Sequence, residues 1–307
     1  MKKKIIIVLG PTASGKSAIA LELAKKFKGF LISADSRQVF KKMNIGTNKD
    51  QGAWIENKFV IEGVEECLVD LVNPNEYYSL ENWLKDFKIT IETHANKLPI
   101  IVGGTGLYIS ALVNNYELPG VFDEKLRTKV EKWLAKYGLI YLINKMKKID
   151  LNIGEKIDLN NPRRVARALE IMMQTKKPLA RGTPDCDPGE SEYDFLQLGV
   201  SLDREKLYQK INGRVEVMMK EGLVDEVKKI KADGFDCQSA AMSGIGYRQI
   251  CQFLNHEISG EQAVELIKRD TRRYAKRQMT WFKRDKTIHW IEDVNEAIDL
   301  SKKFIQK

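Results

Sequence analysis

An apolar, β-branched run from Lys4 to Leu9 leads directly into Gly10-Pro-Thr-Ala-Ser-Gly15-Lys16-Ser17, and a helical pattern from Ser17 to Phe27 follows. A strand that turns into a helix through G-x-x-x-x-G-K-[ST] leaves few folds open, because the loop functions only when both elements hold it. Its glycines let backbone N–H groups converge on phosphate oxygens. The helix N-terminus adds partial positive charge, Lys16 adds a full one, and the Ser17 hydroxyl can hold Mg2+. Gly10, Pro11, Thr12, Ala13, Ser14, Gly15, Lys16 and Ser17 therefore form the expected phosphate-binding cradle. The motif specifies a di- or triphosphate and leaves ATP open.

Further strand patterns at Phe30–Ala34, Phe59–Val64 and Pro99–Val102, with helical patterns between several of them, extend the first strand and helix into an α/β core. The fold class expected is a P-loop NTPase-like core, a mainly parallel sheet flanked by helices, with a helical insertion domain. After Asn114-Asn-Tyr-Glu-Leu-Pro-Gly120 the pattern is helical without strands to about Gln174, and Lys176–Tyr193, with three prolines and two glycines, reads as a loop. A strand pattern resumes at Phe195. The expected domains are residues 1–113 and 195–307 as catalytic core and 114–194 as insert.

Met-Lys-Lys-Lys before an apolar run imitates a signal peptide, but Gly10-Pro11 ends the run before an h-region forms. No stretch of about 18 apolar residues occurs, so no membrane-spanning helix is expected, and the chain reads as cytoplasmic. Cys67, Cys186, Cys237 and Cys251 form no C-x-x-C pair and are expected as reduced thiols; His94, His256 and His289 are too scattered to complete a metal site by spacing. Lys plus Arg number 51 against 42 Asp plus Glu, a formal net charge of +9 that favours a polyanionic partner.

Phe30-Leu-Ile-Ser-Ala-Asp35 is the only early apolar run that ends in an acid. Asp35 has three readings: magnesium ligand, general base, or helix cap. Asn161-Pro162-Arg163-Arg164-Val165-Ala166-Arg167 opens a helix with a good cap and proline at its first position, yet three arginines there oppose the helix dipole. Phosphate contact is one reading of them, and a solvated face or local ion pairs is the other. From Glu261 to Lys283 one long helix is expected, with Val264, Ile267, Tyr274 and Trp281 on a packing stripe. Arg269, Arg272, Arg273, Lys276, Arg277 and Lys283 fall on the other side, six bases without an acid among them, either a solvated face or a nucleic-acid footprint.

Six blocks, taken together, resemble one family. They are Gly10–Ser17, Asp35-Ser-Arg-Gln-Val39, Val102-Gly-Gly-Thr-Gly-Leu-Tyr108, Asn161-Pro-Arg-Arg164 with Arg167-Ala-Leu-Glu170, Ala241-Met-Ser-Gly-Ile-Gly-Tyr247, and Arg272-Arg-Tyr-Ala-Lys-Arg-Gln278 before Thr280-Trp-Phe282. The chain is similar along nearly its whole length to the tRNA dimethylallyltransferases, also called tRNA isopentenyltransferases. The resemblance implies transfer of a dimethylallyl group from dimethylallyl diphosphate to the exocyclic amine of the adenosine 3' to the anticodon, with Mg2+ as cofactor. The P-loop would then hold a diphosphate leaving group.

By the same resemblance Asp35 is the base, Lys16 and Mg2+ on Ser17 carry the leaving group, Thr105 lines the channel, and Arg214 assists at the diphosphate. Asp35, Ser36, Arg37, Gln38, Thr105, Arg127, and the segment Arg163, Arg164, Val165, Ala166, Arg167 are the implied tRNA contacts, joined by Arg272, Arg273, Lys276 and Arg277 of the late basic helix. The partners implied are the tRNA anticodon stem-loop and dimethylallyl diphosphate, with the protein acting as a monomer. Three departures fall at Phe40, at Asp50 where the family carries proline, and at Glu65-Glu66-Cys67 where a His-His pair is common. The rival readings are a P-loop small-molecule or nucleotide kinase, which predicts ATP consumption, and a nucleic-acid-binding module with an idle P-loop.

Overall fold

The computed structural model describes residues 2–116, 123–179 and 191–307. The chain divides into two compact units, Met1–Val113 with Glu192–Lys307 and Asn114–Ser191. The first unit runs β1 (Lys3–Leu9), α1 (Lys16–Phe27), β2 (Phe30–Ser33), β3 (Ala53–Ile55), β4 (Lys58–Ile61), β5 (Val64–Cys67), α2 (Leu80–Thr93), β6 (Pro99–Gly103) and α3 (Gly106–Val113). After the insert, whose main helices are α4 (Glu124–Lys147) and α5 (Pro162–Thr175), it resumes with β7 (Tyr193–Val200). Then follow α6 (Arg204–Lys220), α7 (Leu223–Ala232), α8 (Tyr247–Leu254), α9 (Gly260–Phe282), β8 (His289–Ile291) and α10 (Val294–Gln306).

The strands form one sheet in the order β3-β4-β5-β2-β6-β1-β7-β8. β1 lies between β6 and β7 in parallel register, and Ile5 to Leu9 are fully buried. A strand covered on both faces needs apolar side chains at every position, which is why this segment reads as an unbroken run. Its alternate residues serve two cores. Ile5, Ile7 and Leu9 join Trp83, Phe87 and Ile109 from α2 and α3, while Ile6 and Val8 join Ala20 and Leu23 of α1 and Ala297 of α10. Helices thus cover both faces of a mainly parallel sheet, as expected.

The single strand expected at Phe59–Val64 is two. Glu62 and Gly63 take φ of 46° and 82°, the left-handed pair of a tight hairpin turn, so β4 folds back antiparallel on β5 with Ile61 opposite Val64. β3 extends this antiparallel edge.

The long basic helix forms as α9, opened by Ser259, whose hydroxyl accepts from the Gln262 N–H. Its buried stripe, however, runs through Ala263, Ile267, Thr271, Ala275, Gln278 and Phe282, leaving Val264, Tyr274 and Trp281 half-buried at its margin. Small and polar residues sit on the packing line because α9 faces polar loops as well as apolar side chains. The thiol expectation also fails in part: Cys237 and Cys251 are joined as a disulfide. The fold brings their Cα atoms to 6.0 Å, within bridging range, across a separation of 14 residues that a C-x-x-C search ignores.

In the insert, α5 starts as expected, with Pro162 at the first turn and the Asn161 side chain accepting from the Arg164 N–H. It packs Val165, Leu169 and Met172 against Val130, Leu142 and Met146 of α4. Gly138 interrupts α4 with φ 77° and ψ 177°. The loop expected at Lys176–Tyr193 falls largely on residues 180–190, outside the described residues, as do 117–120 of the expected boundary segment and Cys186.

Candidate active site

The C-terminal ends of β1, β2 and β6 place the site, the usual position for ligands in an open parallel sheet. β1 ends in the phosphate loop. Gly15 takes the left-handed φ of 93° that releases the chain into α1, and no side chain caps that helix. Its first-turn N–H groups are those a helix leaves without internal acceptors, and they face the cavity with the positive end of the dipole.

Not all of the cradle's donors are free. The Thr12 N–H donates to Gln278 Oε1 at 2.9 Å, the Ser14 N–H donates to the Pro11 carbonyl at 3.3 Å, and Pro11 has no N–H. Gln278, buried on α9, donates through Nε2 to the Gly104 carbonyl at 2.8 Å. One amide from the far helix thereby ties the phosphate loop to the Gly-rich loop after β6. At Gly104 a Cβ would strike the Gln278 amide, so glycine permits that approach. The sequence marks Gln278 only as the end of a family-like block, and a glutamine on a helix does not by itself indicate this role.

The cavity beside the cradle has a volume of about 340 Å³ and is lined by Lys16, Ser17, Asp35, Asp50, Glu66, Lys210 and Arg214, among others. Burial lowers the Lys16 pKa, an effect that Asp35 opposes, while Arg214 also lowers it and Asp50 raises it. Burial lowers the Arg214 pKa too, again opposed by Asp35, and its Nε is buried without a hydrogen-bond partner. Two cations thus flank one acid at the end of β2. Burial raises the Asp50 carboxyl, against a hydrogen bond to the Ser17 hydroxyl and attraction from Lys16. Glu66 is pushed up to about 8, chiefly by burial and then by Asp50, against the pull of Lys49.

A second cavity, of about 630 Å³, lies beside the first and shares Thr12, Asp35, Thr47 and Arg214 with it. Its other walls include Ser36, Arg37, Ser243, Arg269, Arg273, Tyr274 and Arg277. Asp35 therefore faces both the space beside the P-loop and an arginine-walled one. One of its oxygens, Oδ1, accepts from the Arg37 N–H at 2.8 Å, which fixes the carboxylate at a turn and not at the start of a helix. The cap reading is thereby set aside. Thr105, expected to line the channel, is not among the residues lining either cavity; its Oγ1 accepts from the Ser36 N–H at 3.0 Å and so supports the turn that carries Asp35.

Several expected RNA contacts have structural partners. Gln38 bridges Ser33 Oγ at 3.0 Å and the Asn48 carbonyl at 3.2 Å, and Arg37 donates to the Ala240 carbonyl at 2.7 Å. Arg272 donates to Asn212 Oδ1 of α6 at 2.6 Å and is half-buried, so it joins two helices. Arg273, Lys276 and Arg277 are exposed. The basic face is not acid-free, because Asp270 pairs with Arg248 and Arg269, each at 2.9 Å. On a helical projection Asp270 falls about 20° from Arg277, at the margin of the basic face, so an acid does stand beside these bases.

In the insert, Arg163 and Arg164 are exposed, Arg167 pairs with Glu170 at 3.0 Å, and Arg127 pairs with Glu131 at 3.0 Å. Val165 and Ala166 are buried in the insert's own core, which withdraws their side chains from the surface expected for them. Asp50 and Glu66 line the site although the sequence marks their positions only as departures from a family pattern.

The family model for IPP transferase matches residues 38–285. The chain is 42% identical over 305 residues to a tRNA dimethylallyltransferase of Acetivibrio thermocellus, covering 98% of this chain and 95% of the relative. Its structure resembles that of a tRNA isopentenylpyrophosphate transferase from Bacillus halodurans, with TM-score 0.69, 36% identity, and coverage of 99% and 96%. It also resembles a eukaryotic dimethylallyltransferase captured acting on tRNA, with TM-score 0.78, 29% identity, and coverage of 99% of this chain and 80% of that one. The kinase reading finds no support in these likenesses. With a family match over most of its length and relatives alike from end to end, the chain belongs to the IPP transferase family.

Proposed function

We propose that the chain transfers the dimethylallyl group of dimethylallyl diphosphate to the exocyclic amine of the adenosine 3' to the anticodon in tRNA. The observation that carries this reading is the position of Asp35 on both cavities, one lined by the phosphate loop and the other by arginines. An exocyclic purine amine is a poor nucleophile, since its lone pair is delocalised into the ring. The reaction therefore needs a base for the amine proton and cations for the leaving group.

The adenosine, flipped out of the RNA loop, enters the arginine-walled cavity. Its amine nitrogen bonds to the terminal allylic carbon as that carbon's bond to the diphosphate oxygen breaks. The diphosphate leaves with the bonding electron pair against Lys16, Arg214 and the α1 N-terminus, and the amine proton passes to an Asp35 carboxylate oxygen. Thr105 and the Arg37 N–H hold the turn that aims this carboxylate. The Ser17 hydroxyl and Asp50 carboxylate are hard oxygen donors that fit Mg2+. Bound there, the ion would supply charge neutralisation for the departing diphosphate.

Arg273, Lys276 and Arg277 of α9, with Arg163 and Arg164 of the insert, hold the tRNA backbone. One chain supplies both cavities, so a monomer suffices, and a tRNA substrate sets the work in the cytoplasm. Among the described residues no helix is long and apolar enough to cross a membrane. The test is to incubate the protein with Mg2+, unmodified tRNA and either labelled dimethylallyl diphosphate or γ-labelled ATP. Label from the allylic donor should appear on tRNA while ATP stays intact; ATP consumption would favour a kinase, and tRNA binding without turnover a binding module.

A further inference from the structure

β5 carries functional side chains on both of its faces. Glu66 is buried and lines the phosphate cavity, while Glu65 and Cys67, at positions i and i+2, share the opposite face. His94, which caps the C-terminus of α2, meets them there. Glu65 Oε1 lies 3.1 Å from His94 Nε2 and 4.0 Å from Cys67 Sγ, and the three ligand atoms all fall within 4.8 Å of one another.

Hydrogen bonding orients the group as a ligand set. His94 Nδ1 is 3.0 Å from the Thr90 carbonyl and donates to it, which turns Nε2 toward Glu65. Nε2 and Glu65 Oε1 face each other at 3.1 Å, close to the spacing of two ligand atoms on one ion. Stacking on Phe30, with ring centroids 4.4 Å apart, holds the imidazole plane. The other carboxylate oxygen, Oε2, is engaged by Lys58 at 3.3 Å and Lys97 at 3.9 Å, which leaves Oε1 for the centre. A backbone carbonyl behind a histidine and a charge partner behind a carboxylate are the outer contacts that metal ligands use.

We propose that Glu65, Cys67 and His94 form a binding site for a borderline-soft divalent transition-metal ion, of which Zn2+ is the best match to this donor set. Bonds of about 2.0 to 2.3 Å to O, N and S in a tetrahedron separate ligand atoms by roughly 3.3 to 3.7 Å, so closure needs only small side-chain adjustments. The Cys67 S–H bond breaks as the sulfur–metal bond forms, its proton passing to solvent. Thiolate and carboxylate then balance the ion's charge, and water takes the fourth position. Mg2+ avoids thiolate and imidazole, so this site and the Ser17–Asp50 pair select different ions. Bound metal would fasten β5, the strand that presents Glu66 to the cavity, to the end of α2. The inference is independent of the transferase reading.

The test uses the full chain in a Cys186→Ser background, stripped with chelator, refilled with excess Mg2+ and titrated with Co2+. One equivalent should give the visible bands of a four-coordinate ion and a near-ultraviolet thiolate-to-cobalt charge-transfer band, all abolished by equimolar Zn2+. Cys67→Ser should remove the charge-transfer band. His94→Ala should weaken Zn2+ binding by more than the roughly 10- to 100-fold that follows loss of an outer partner of a ligand. The parent spectrum decides the matter even if a variant misfolds. Co2+ binding without a charge-transfer band, no binding at one equivalent, or affinity unchanged in His94→Ala would overturn the proposal and leave a protonated histidine paired with Glu65 beside a bystander thiol.

Discussion

Asp50 places a carboxylate against the Ser17 hydroxyl in the cavity beside the P-loop. As the loss of a carboxylate donor, Asp50→Asn should weaken Mn2+ binding in the presence of diphosphate by more than the roughly 10- to 100-fold that follows loss of a partner that only orients a metal ligand. Paramagnetic resonance of the free ion measures it, and unchanged affinity would remove Asp50 from the metal site. Glu66 makes a separate prediction through pH. Its carboxyl is raised to about 8 in the folded chain from an ordinary value of 4.5. Between those values the folded state holds a proton that the unfolded state has lost, so stability is full below about 4.5 and falls as pH rises toward 8. The slope reaches at most about 1.4 kcal/mol per pH unit. Glu66→Gln should flatten that decline in urea titrations at about pH 5 to 8, the window between the two values; an unaltered slope would assign it to another group.

At the scale of elements, α9 both builds the site and faces solvent. Gln278 on its buried stripe joins the two phosphate-side loops, while Arg273 and Lys276 are exposed. Replacing Arg273 and Lys276 with Gln should weaken tRNA binding and flatten the plot of log affinity against log salt by about 0.7 to 0.9 for each phosphate no longer neutralised. Donor binding should not change. An unaltered slope would mean that this face is merely solvated. Arg272 is a poor probe, because its bond to Asn212 makes any loss a packing effect as well.

The helix itself is legible in its apolar and basic periodicity, and the phosphate loop is legible because eight consecutive residues carry all its chemistry. The stripe's true centre is hidden, since Thr271, Ala275 and Gln278 carry no hydrophobic signal yet are buried. The β4–β5 turn is hidden because Glu62 gives no sign that it adopts positive φ. Asp50, Glu66 and His94 gain their roles only through loops and strands brought together from distant sequence.

For the whole molecule, labour is divided between a unit that carries both cavities and an insert that carries exposed Arg163 and Arg164. Replacing those two arginines with Gln should lower kcat/KM for tRNA by about 10²-fold or more, given roughly 1.5 to 3 kcal/mol for each of two hydrogen bonds to a charged group, with the donor KM unchanged. Equal loss for both substrates would contradict that division. The central claim is that Asp35 serves chemistry at the junction of the two cavities. Its most direct test is the single-turnover rate of Asp35→Asn with donor and tRNA both saturating. The amide keeps the shape but cannot take the amine proton, so the rate should fall by roughly 10²- to 10⁴-fold while the affinities for donor and tRNA stay near those of the parent. A rate within a few-fold of the parent, or one restored by added Mg2+, would contradict the base assignment and return Asp35 to the magnesium ligands.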